Sequence, residues 1–401
     1  MGQPPPFLRI VAISVVCVYT ALHFFKTGVM VAYENYYGDF LANFPAPSVA
    51  GWTGQWSVYA DSLAHKWHPP PRWGFGPVFH LVTLPLLLSS RLAVSYRVWL
   101  FVNYCFLALA LVILYREAIG PHITIGRLAI VGGLTLNYYP LYEALIQRNI
   151  EIFELTLIAV AMACYAKRRD GWAGAVVGMA AMTKFLPGIL VPYFLLKRRW
   201  RAFVSSVCVI LSLGVGAQFA FGWQHNWVVQ QLVQGSYLET HLNQAVSGAV
   251  LRLAVRLGHA TLGIRVSQVL IAILVAGLAW YLWRRRVSAE WQIEWALLVV
   301  AAIMLPPHNQ NYYLTLLLIP YLVLLGKLFA APRLNRWRAS LLGLSWFLTG
   351  WPLPLSVVER AVGTSFLAER LLAASVSLWG VILLVGLLLT ETTARPLTAT
   401  S

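Results

Sequence analysis

An aspartate among aromatic residues, in the sequence Tyr36-Tyr37-Gly38-Asp39-Phe40, closely follows the first long apolar run of the chain. A sugar hydroxyl is a poor nucleophile, and a positioned carboxylate that accepts its proton makes it a better one. One such base suffices for inversion at a sugar carbon when the leaving group is a phosphate. We therefore predict that Asp39 is a general base, with Asp61 and Glu34 second to it. A plain solvated loop acid is the alternative interpretation of Asp39.

Cations that could bind a phosphate occur at two places outside the apolar runs. The segment His65–Arg72 combines Lys66 with histidines, an arginine and a tryptophan, and such groups bind phosphate oxygens and stack on sugar rings. Arg252 follows the amides Asn243 and Gln244, which suit hydroxyl-rich sugars. The alternatives are an interfacial anchor for the first segment and an amphipathic surface helix around Arg252.

Polar residues also stand at the ends of predicted membrane spans. Gln147-Arg148-Asn149 precedes Glu151 and Glu154, where ionisable residues are costly unless they face a cavity or one another. This pattern fits an acceptor-binding rim that uses Gln147 and Asn149. The alternative is an ion pair between Arg148 and Glu151, which lie three residues apart on one helix.

Two further polar groups interrupt apolar sequence near the middle and the end of the chain. Lys184 lies beside Pro187 within an apolar segment, and a lysine whose ammonium snorkels to the lipid head groups accounts for it. The segment Pro306–Tyr313 is a polar turn between two spans, rich in side chains that form hydrogen bonds. We predict that it lines an active site, and a plain turn between two spans is the alternative interpretation.

The composition is that of a polytopic membrane protein. Hydrophobic residues make up 59% of 401 and charged residues 11%, with a mean hydropathy of +0.68, whereas soluble domains are about 25% charged. The net charge of +16 comes from Lys and Arg clustered at the ends of apolar runs, as the positive-inside rule requires. Nucleic acid is therefore not an expected partner. The four cysteines lack metal-ligand spacing, and we expect no metal site.

Apolar runs of roughly 17–25 residues define the predicted spans. They cover residues 7–27, 97–116, 124–141, 150–167, 202–222, 266–284, 290–306, 312–331, 338–354 and 370–390. Residues 75–90 are predicted as a short or re-entrant segment, and residues 172–196 as a hairpin that enters the membrane from the cytoplasm. The basic clusters predict that both chain termini are cytoplasmic.

This topology predicts an all-α integral membrane fold of about 10–12 transmembrane or re-entrant helices, forming a single domain over residues 1–401. Two large extracytoplasmic loops follow from it, over residues 32–74 and 223–265. Most of the acidic residues and histidines fall on that outer side. We therefore expect any chemistry to be extracytoplasmic, in an integral protein of the cell membrane.

Motifs in a fixed order resemble those of the GT-C membrane glycosyltransferases, in particular family 87, the polyprenyl-phosphate-mannose-dependent mannosyltransferases. The first match is the Asp-Phe pair of the first outer loop, followed by an aromatic-Pro-Pro run and an apolar Pro-Leu segment. A Gln-x-Asn motif, a Gly-rich helix ending in Lys-x-x-Pro, an Arg-Arg-Trp motif and an Asn-Gln motif with a downstream Arg come next. These motifs stand here as Asp39-Phe40, Trp67–Pro70, Leu84–Leu86, Gln147-x-Asn149, Gly174-x-x-x-Gly178, Lys184-x-x-Pro187, Arg198–Arg201, Asn243–Val246 and Arg252.

The chain departs from the family pattern at three places. Ile146 replaces a glycine before Gln147, and Glu151 and Glu154 replace apolar residues. In the late polar turn, Tyr312 stands where the family has a histidine, with His308 nearby. These differences leave open which residue acts as a second catalytic group and which sugar is transferred.

The resemblance implies a GT-C-type enzyme that moves a hexosyl residue, with mannosyl expected, from a polyprenyl-phosphate sugar to an extracytoplasmic glycan or glycolipid by inversion. The lipid-linked sugar, the acceptor and the membrane lipids are then its partners, and no cofactor is needed. The expected catalytic residue is Asp39. Lys66, Arg252 and His308 are expected at the donor phosphate, and the expected acceptor or sugar contacts are Asp61, Gln147, Asn149, Asn243, Gln244 and Tyr312. A lipid-linked-sugar flippase and a non-catalytic subunit of a cell-envelope assembly complex are the alternatives.

Overall fold

The structure is a computed structural model that describes residues 76–83, 85–86, 92–221, 243–286, 290–307, 309–331, 335–350 and 374–393. Four predicted site residues (Asp39, Asp61, Lys66 and His308) lie outside these ranges, as does the predicted loop 32–74. Within them, all regular secondary structure is helical, which confirms the predicted all-α class.

Most helices follow the predicted apolar runs, and the predicted span 7–27 lies outside the described residues. The predicted single span over residues 124–141 is wrong, because the chain there forms two helices, Ile125–Leu136 and Tyr139–Ile146. The first seven are α1 (Pro77–Thr83), α2 (Leu92–Leu114), α3 (Ile125–Leu136), α4 (Tyr139–Ile146), α5 (Glu151–Ala166), α6 (Asp170–Ala181) and α7 (Leu190–Leu196). The next seven are α8 (Trp200–Phe221), α9 (Val246–Arg256), α10 (Ala260–Arg284), α11 (Trp291–Met304), α12 (Leu318–Ala330), α13 (Arg336–Gly350) and α14 (Val376–Thr393). A π-helical turn (Tyr115–Ile119) extends α2, and 3₁₀ helices precede α7 (Leu186–Ile189) and α12 (Asn311–Leu317).

Among these described helices, four are long and apolar enough to cross a membrane, and a fifth span results if α4 and α5 are counted as one broken helix. The four are Val94–Ile119, Trp200–Ala217, Ala260–Arg284 and Asn311–Ala330. Apolar helices of 10–17 residues, including α3 and α11, pack among them. The chain is therefore an integral membrane protein with a polytopic helical core.

The hairpin predicted over residues 172–196 is formed by α6 and α7, and the ion pair between Arg199 and Asp170, at 3.2 Å, joins its two ends. Small residues let α6 approach α8 closely. A Cβ atom on Gly174 would stand 2.0 Å from the carbonyl oxygen of Ala202, and one on Gly178 would stand 2.8 Å from that of Ser206. The Gly-x-x-x-Gly spacing thus acts here as a helix-packing motif.

The basic clusters converge on one end of the helical core, which we call the basic end. Lys197, directly after α7, bonds Glu294 of α11 at 2.6 Å and the carbonyl oxygen of Arg285 at 2.7 Å. Lys327 of α12 bonds Glu290 at 2.7 Å, close to the same place. The basic clusters at residues 167–169, 197–201 and 284–286 therefore share one end with Lys327, as the positive-inside argument requires.

The topology can be tested by cysteine labelling, because the structure identifies accessible positions at both ends. We expect Gly171→Cys, at the basic end, to be labelled only from the cytoplasm, since a side chain there meets no neighbouring atom within 4 Å. Pro307→Cys, in an exposed position of the opposite turn, should be labelled from outside. The measurement uses an impermeant maleimide on intact cells, in a background lacking the exposed Cys105 and Cys208. Labelling of position 171 but not 307 from outside would reverse the orientation.

Candidate active site

A sharp break between α4 and α5 brings a row of polar residues together at the end of the core opposite the basic end. The two helices meet at 120° across residues 147–150. The N–H of Arg148 bonds the carbonyl of Leu145 at 3.2 Å, and the N–H of Asn149 bonds that of Ala144 at 2.9 Å. This is the Schellman pattern that ends helices, and it requires a left-handed residue after the cap. Arg148 takes that conformation with φ 49°, at a cost of roughly 1–2 kcal/mol for a residue other than glycine.

Buried contacts hold the break in place. The Arg148 guanidinium lies over the ring of Tyr96, 3.3 Å from its centroid, and the indole N–H of Trp99 donates to the Arg148 carbonyl at 3.0 Å. The side-chain oxygen of Asn149 accepts from the N–H of Ile150 at 2.8 Å. The predicted rim residue Asn149 is therefore fully buried and shapes the start of α5, whereas Gln147 is half-buried at the bend.

An ion pair between Lys184 and Glu151 lies at the core of this end. Lys184 sits at the tip of the α6–α7 hairpin, and its side chain is 5% exposed, while that of Glu151 is fully buried. The ammonium also lies over the ring of Tyr313, 3.4 Å from its centroid. The snorkelling interpretation of Lys184 is therefore wrong. The proposed Arg148–Glu151 pair is also wrong, because the left-handed turn directs Arg148 to Tyr96 and Glu151 to Lys184.

Glu154 stands one helical turn beyond Glu151, with none of its surface exposed. Neither of its carboxyl oxygens has a hydrogen-bond partner among the described residues. A single lysine therefore serves two neighbouring buried acids. Burying a polar group without such a partner costs free energy, so Glu154 adds acceptor capacity that the described fold leaves unused.

The second predicted outer loop is anchored to the polar turn by Asn243 and Gln244. The amide of Asn243 donates to the carbonyl of Pro307 at 2.8 Å and accepts from the N–H of Asn309 at 3.1 Å. The N–H of Gln244 donates to the carbonyl of Asn309 at 2.7 Å. Both side chains are fully buried. The structure therefore brings these two predicted sites together with the predicted turn, and it engages the Asn243 amide in holding the turn.

Arg252, on the buried side of α9, also stabilises this loop. Its guanidinium donates to the carbonyl of Asn243 at 2.6 Å and to the hydroxyl of Ser375, before α14, also at 2.6 Å. Burial, together with the nearby Arg256, lowers the pKa of the Arg252 guanidinium to about 10. An anion bound beside this desolvated cation would therefore be stabilising. The two hydrogen bonds of Arg252 therefore hold the loop against the segment that precedes α14.

The polar turn also contacts the helix break directly. The amide of Asn311 donates to the carboxylate of Glu143 in α4 at 2.7 Å. Tyr312, a predicted sugar contact, is 5% exposed, and its ring packs edge-on against that of Tyr313 at 4.9 Å. The turn thus joins α4, the hairpin tip and the second outer loop.

The start of α1 completes the cluster. The N–H of Gly76 donates to the carbonyl of Thr183 at 2.8 Å, and that of Val78 donates to the carbonyl of Met182 at 3.3 Å. A Cβ atom on Gly76 would stand 2.0 Å from the Met182 oxygen. Only glycine allows the chain to approach the hairpin tip this closely, so α1 is fixed beside Lys184.

Six predicted site residues thus lie at the end of the core opposite the basic end, in or beside a cluster of polar contacts that we call the polar network: Gln147, Asn149, Asn243, Gln244, Arg252 and Tyr312. Lys184 was not predicted as a site residue, although a lysine within an apolar run indicated that a partner was needed. Asn311 and Tyr313 lie within the predicted polar turn but were given no individual roles. Among the described residues, no group of three or more His, Cys, Asp or Glu side chains could hold a metal ion.

The chain matches a known protein family. The model of glycosyltransferase family 87 matches residues 73–307, which is more than half of the 401-residue chain. The matched region contains the hairpin, the helix break, the second outer loop and the start of the polar turn. No curated protein matches the chain.

Loss of Lys184 should destabilise the protein strongly, because it leaves a carboxylate buried without its ion partner. We expect Lys184→Met to lower the free energy of unfolding by about 3–5 kcal/mol. The double variant Lys184→Met/Glu151→Gln should recover much of that loss. Thermal unfolding of the purified proteins in detergent measures both effects. A double variant as unstable as Lys184→Met would show that the ion pair is not the stabilising contact.

Proposed function

The chain belongs to glycosyltransferase family 87, and from that premise we propose that it transfers a hexosyl residue, mannosyl in our proposal, from a polyprenyl-phosphate sugar to an extracytoplasmic glycan or glycolipid. It is a membrane-embedded glycosyltransferase. We further propose that it resides in the cell membrane with its active site on the outer face. Family membership supports an enzyme over the flippase and the non-catalytic subunit that the sequence left open.

The polar network opposite the basic end supports the proposed location of the site. Ionisable and amide side chains are costly within a membrane protein and concentrate where substrates bind. Here they come from α4–α5, the hairpin tip, the second outer loop and the polar turn, and they are joined by the contacts of Lys184, Asn243, Arg252 and Asn311. Such a frame can hold a sugar and a phosphate in a fixed relation to each other.

The proposed reaction is a single displacement. The acceptor hydroxyl oxygen forms a bond to the anomeric carbon as the bond from that carbon to the phosphate oxygen breaks. The electron pair of the broken bond leaves with the polyprenyl phosphate, and Asp39 accepts the hydroxyl proton. Attack opposite the leaving group inverts the anomeric carbon, and phosphate is a competent leaving group without a metal ion.

The remaining roles are divided between donor and acceptor. Arg252, Lys66 and His308 would attract the donor phosphate. Gln147, half-buried at the helix break, is the amide best placed to reach a sugar hydroxyl. Asp61, Asn149, Asn243, Gln244 and Tyr312 complete the proposed sugar and acceptor contacts. Asn149 and Asn243 would act largely through the backbone that they hold, because their amides bond it directly.

The base can be tested by Asp39→Asn, which keeps the size of the side chain but cannot accept the proton. General-base catalysis contributes about 10²–10⁴-fold, and we expect turnover to fall by that factor while the donor still binds. The assay follows sugar transfer from a radiolabelled polyprenyl-phosphate mannose to acceptor lipids, using purified enzyme. Asp61→Asn is the matched control and should lose far less. Near-normal turnover of Asp39→Asn, or a larger loss in Asp61→Asn, would remove Asp39 as the base.

The phosphate role of Arg252 needs a control for its structural role. A charge-assisted hydrogen bond is worth about 1.5–3 kcal/mol, so Arg252→Ala should raise the Michaelis constant for the lipid donor by about 10–100-fold. Ser375→Ala removes one partner of the guanidinium without removing the charge, and it should change that constant little. Equal effects of the two substitutions, or no effect of either, would restrict Arg252 to holding the loop.

A further inference from the structure

The corner between α9 and α10 carries exposed cations at the end of the core where the positive-inside rule does not place them. Helix α10 has 25 residues and is therefore about 37 Å long. Its C-terminal end lies at the basic end, because the Arg285 carbonyl accepts from Lys197. Its N-terminal end, next to Arg256, His259 and Arg265, consequently lies at the opposite end. All three of these side chains are exposed.

The surfaces on both sides of this corner are apolar and largely exposed. Only 11% of the apolar window of α10 is buried inside the protein, so most of this helix faces lipid. Helix α9 is amphipathic: Leu251 and Arg252 face the core, while Leu253 and Leu257 are 61% and 65% exposed. An amphipathic helix of this kind lies at the boundary between head groups and acyl chains.

The corner itself is tightly built. Gly258 ends α9 in the left-handed conformation with φ 77°, and the N–H of His259 bonds the carbonyl of Ala254 at 2.8 Å. Gly263 packs so closely on α9 that a Cβ atom there would stand 2.4 Å from that of Ala254. The two helices therefore meet in a defined geometry, with the cations held around their junction.

A cavity opens at this junction. Its volume is about 380 Å³, and it is lined by Gly258, His259, Ala260, Thr261, Leu262 and Arg265. The lining combines a guanidinium, an imidazole, a hydroxyl and the first-turn residues of α10, where backbone N–H groups favour anions. Both the charge and the donors of the cavity suit a phosphate group whose acyl chains extend along the exposed leucines.

We propose that the α9–α10 corner is a binding surface for an anionic phospholipid of the bilayer. The lipid phosphate occupies the cavity beside His259 and Arg265, with Arg256 adding charge, and the acyl chains lie along the lipid-facing side of α10. Arg252, on the buried side of α9, belongs to the proposed donor site instead. The bound lipid would anchor the amphipathic helix that carries Arg252 at a fixed depth in the membrane.

Native mass spectrometry of the purified full-length enzyme, titrated with phosphatidylglycerol or phosphatidylcholine, tests the proposal. We expect phosphatidylglycerol to bind more tightly than phosphatidylcholine. Each cation near an anionic lipid contributes a factor of about 5, so Arg256→Gln/Arg265→Gln should weaken the tightest phosphatidylglycerol site by about 10–30-fold. The charge-conserving Arg256→Lys/Arg265→Lys should retain most of the binding.

The matched control removes equal charge at the basic end, by Arg284→Gln/Arg286→Gln, and should leave the tightest site intact. Three results would overturn the proposal: equal binding of the two lipids, unchanged binding in the corner variant, or loss of the tightest site in the control alone. Binding of a polyprenyl phosphate at the corner in place of phosphatidylglycerol would assign the surface to the donor and would also overturn it. Sugar transfer does not enter these readouts, so they stand apart from the test of the proposed function.

Discussion

The structure depends on the ion pair that a buried lysine, Lys184, forms inside this membrane protein. An isolated ammonium is costly there, and Lys184 meets Glu151 of α5 while its charge also rests on the ring of Tyr313. These contacts bring together the hairpin tip, the broken helix and the polar turn, which lie far apart in the sequence. Each of the three segments is irregular backbone, and irregular backbone at membrane depth is tolerated only where protein or a wet cavity covers it. The ion pair therefore holds together three irregular segments whose backbone must be covered by protein.

Hydrogen bonds between backbone and amide groups extend this arrangement to the second outer loop. Asn243 satisfies both a carbonyl and an N–H group of the turn, and Arg252 in turn holds the Asn243 carbonyl. Removing any one of these polar groups leaves its buried partner without a hydrogen bond, which costs the desolvation free energy of that partner. These residues therefore have structural roles, and the effect of a single substitution on activity must be compared with a control that removes only a structural contact.

The helices and the hairpin could be predicted from sequence because hydropathy and the basic clusters are local signals. The polar residues of the site could also be predicted by type, since they interrupt apolar runs. Which of these residues contact one another could not be predicted. A local rule favours Arg148 with Glu151, three residues apart, but the left-handed conformation of Arg148 ends α4 before α5 begins. The actual partner of Glu151 is 33 residues away in the sequence. Local sequence patterns do not indicate contacts between residues so far apart.

The polar network also fixes the backbone that shortly follows the predicted loop 32–74. The predicted loop 32–74 leads directly into Gly76, whose N–H is bonded to the Thr183 carbonyl beside Lys184. Gly76, two residues after the predicted loop, is thereby held beside the polar network. The close approach of Gly76 to Met182 thus requires a glycine at the point where α1 begins against the hairpin tip.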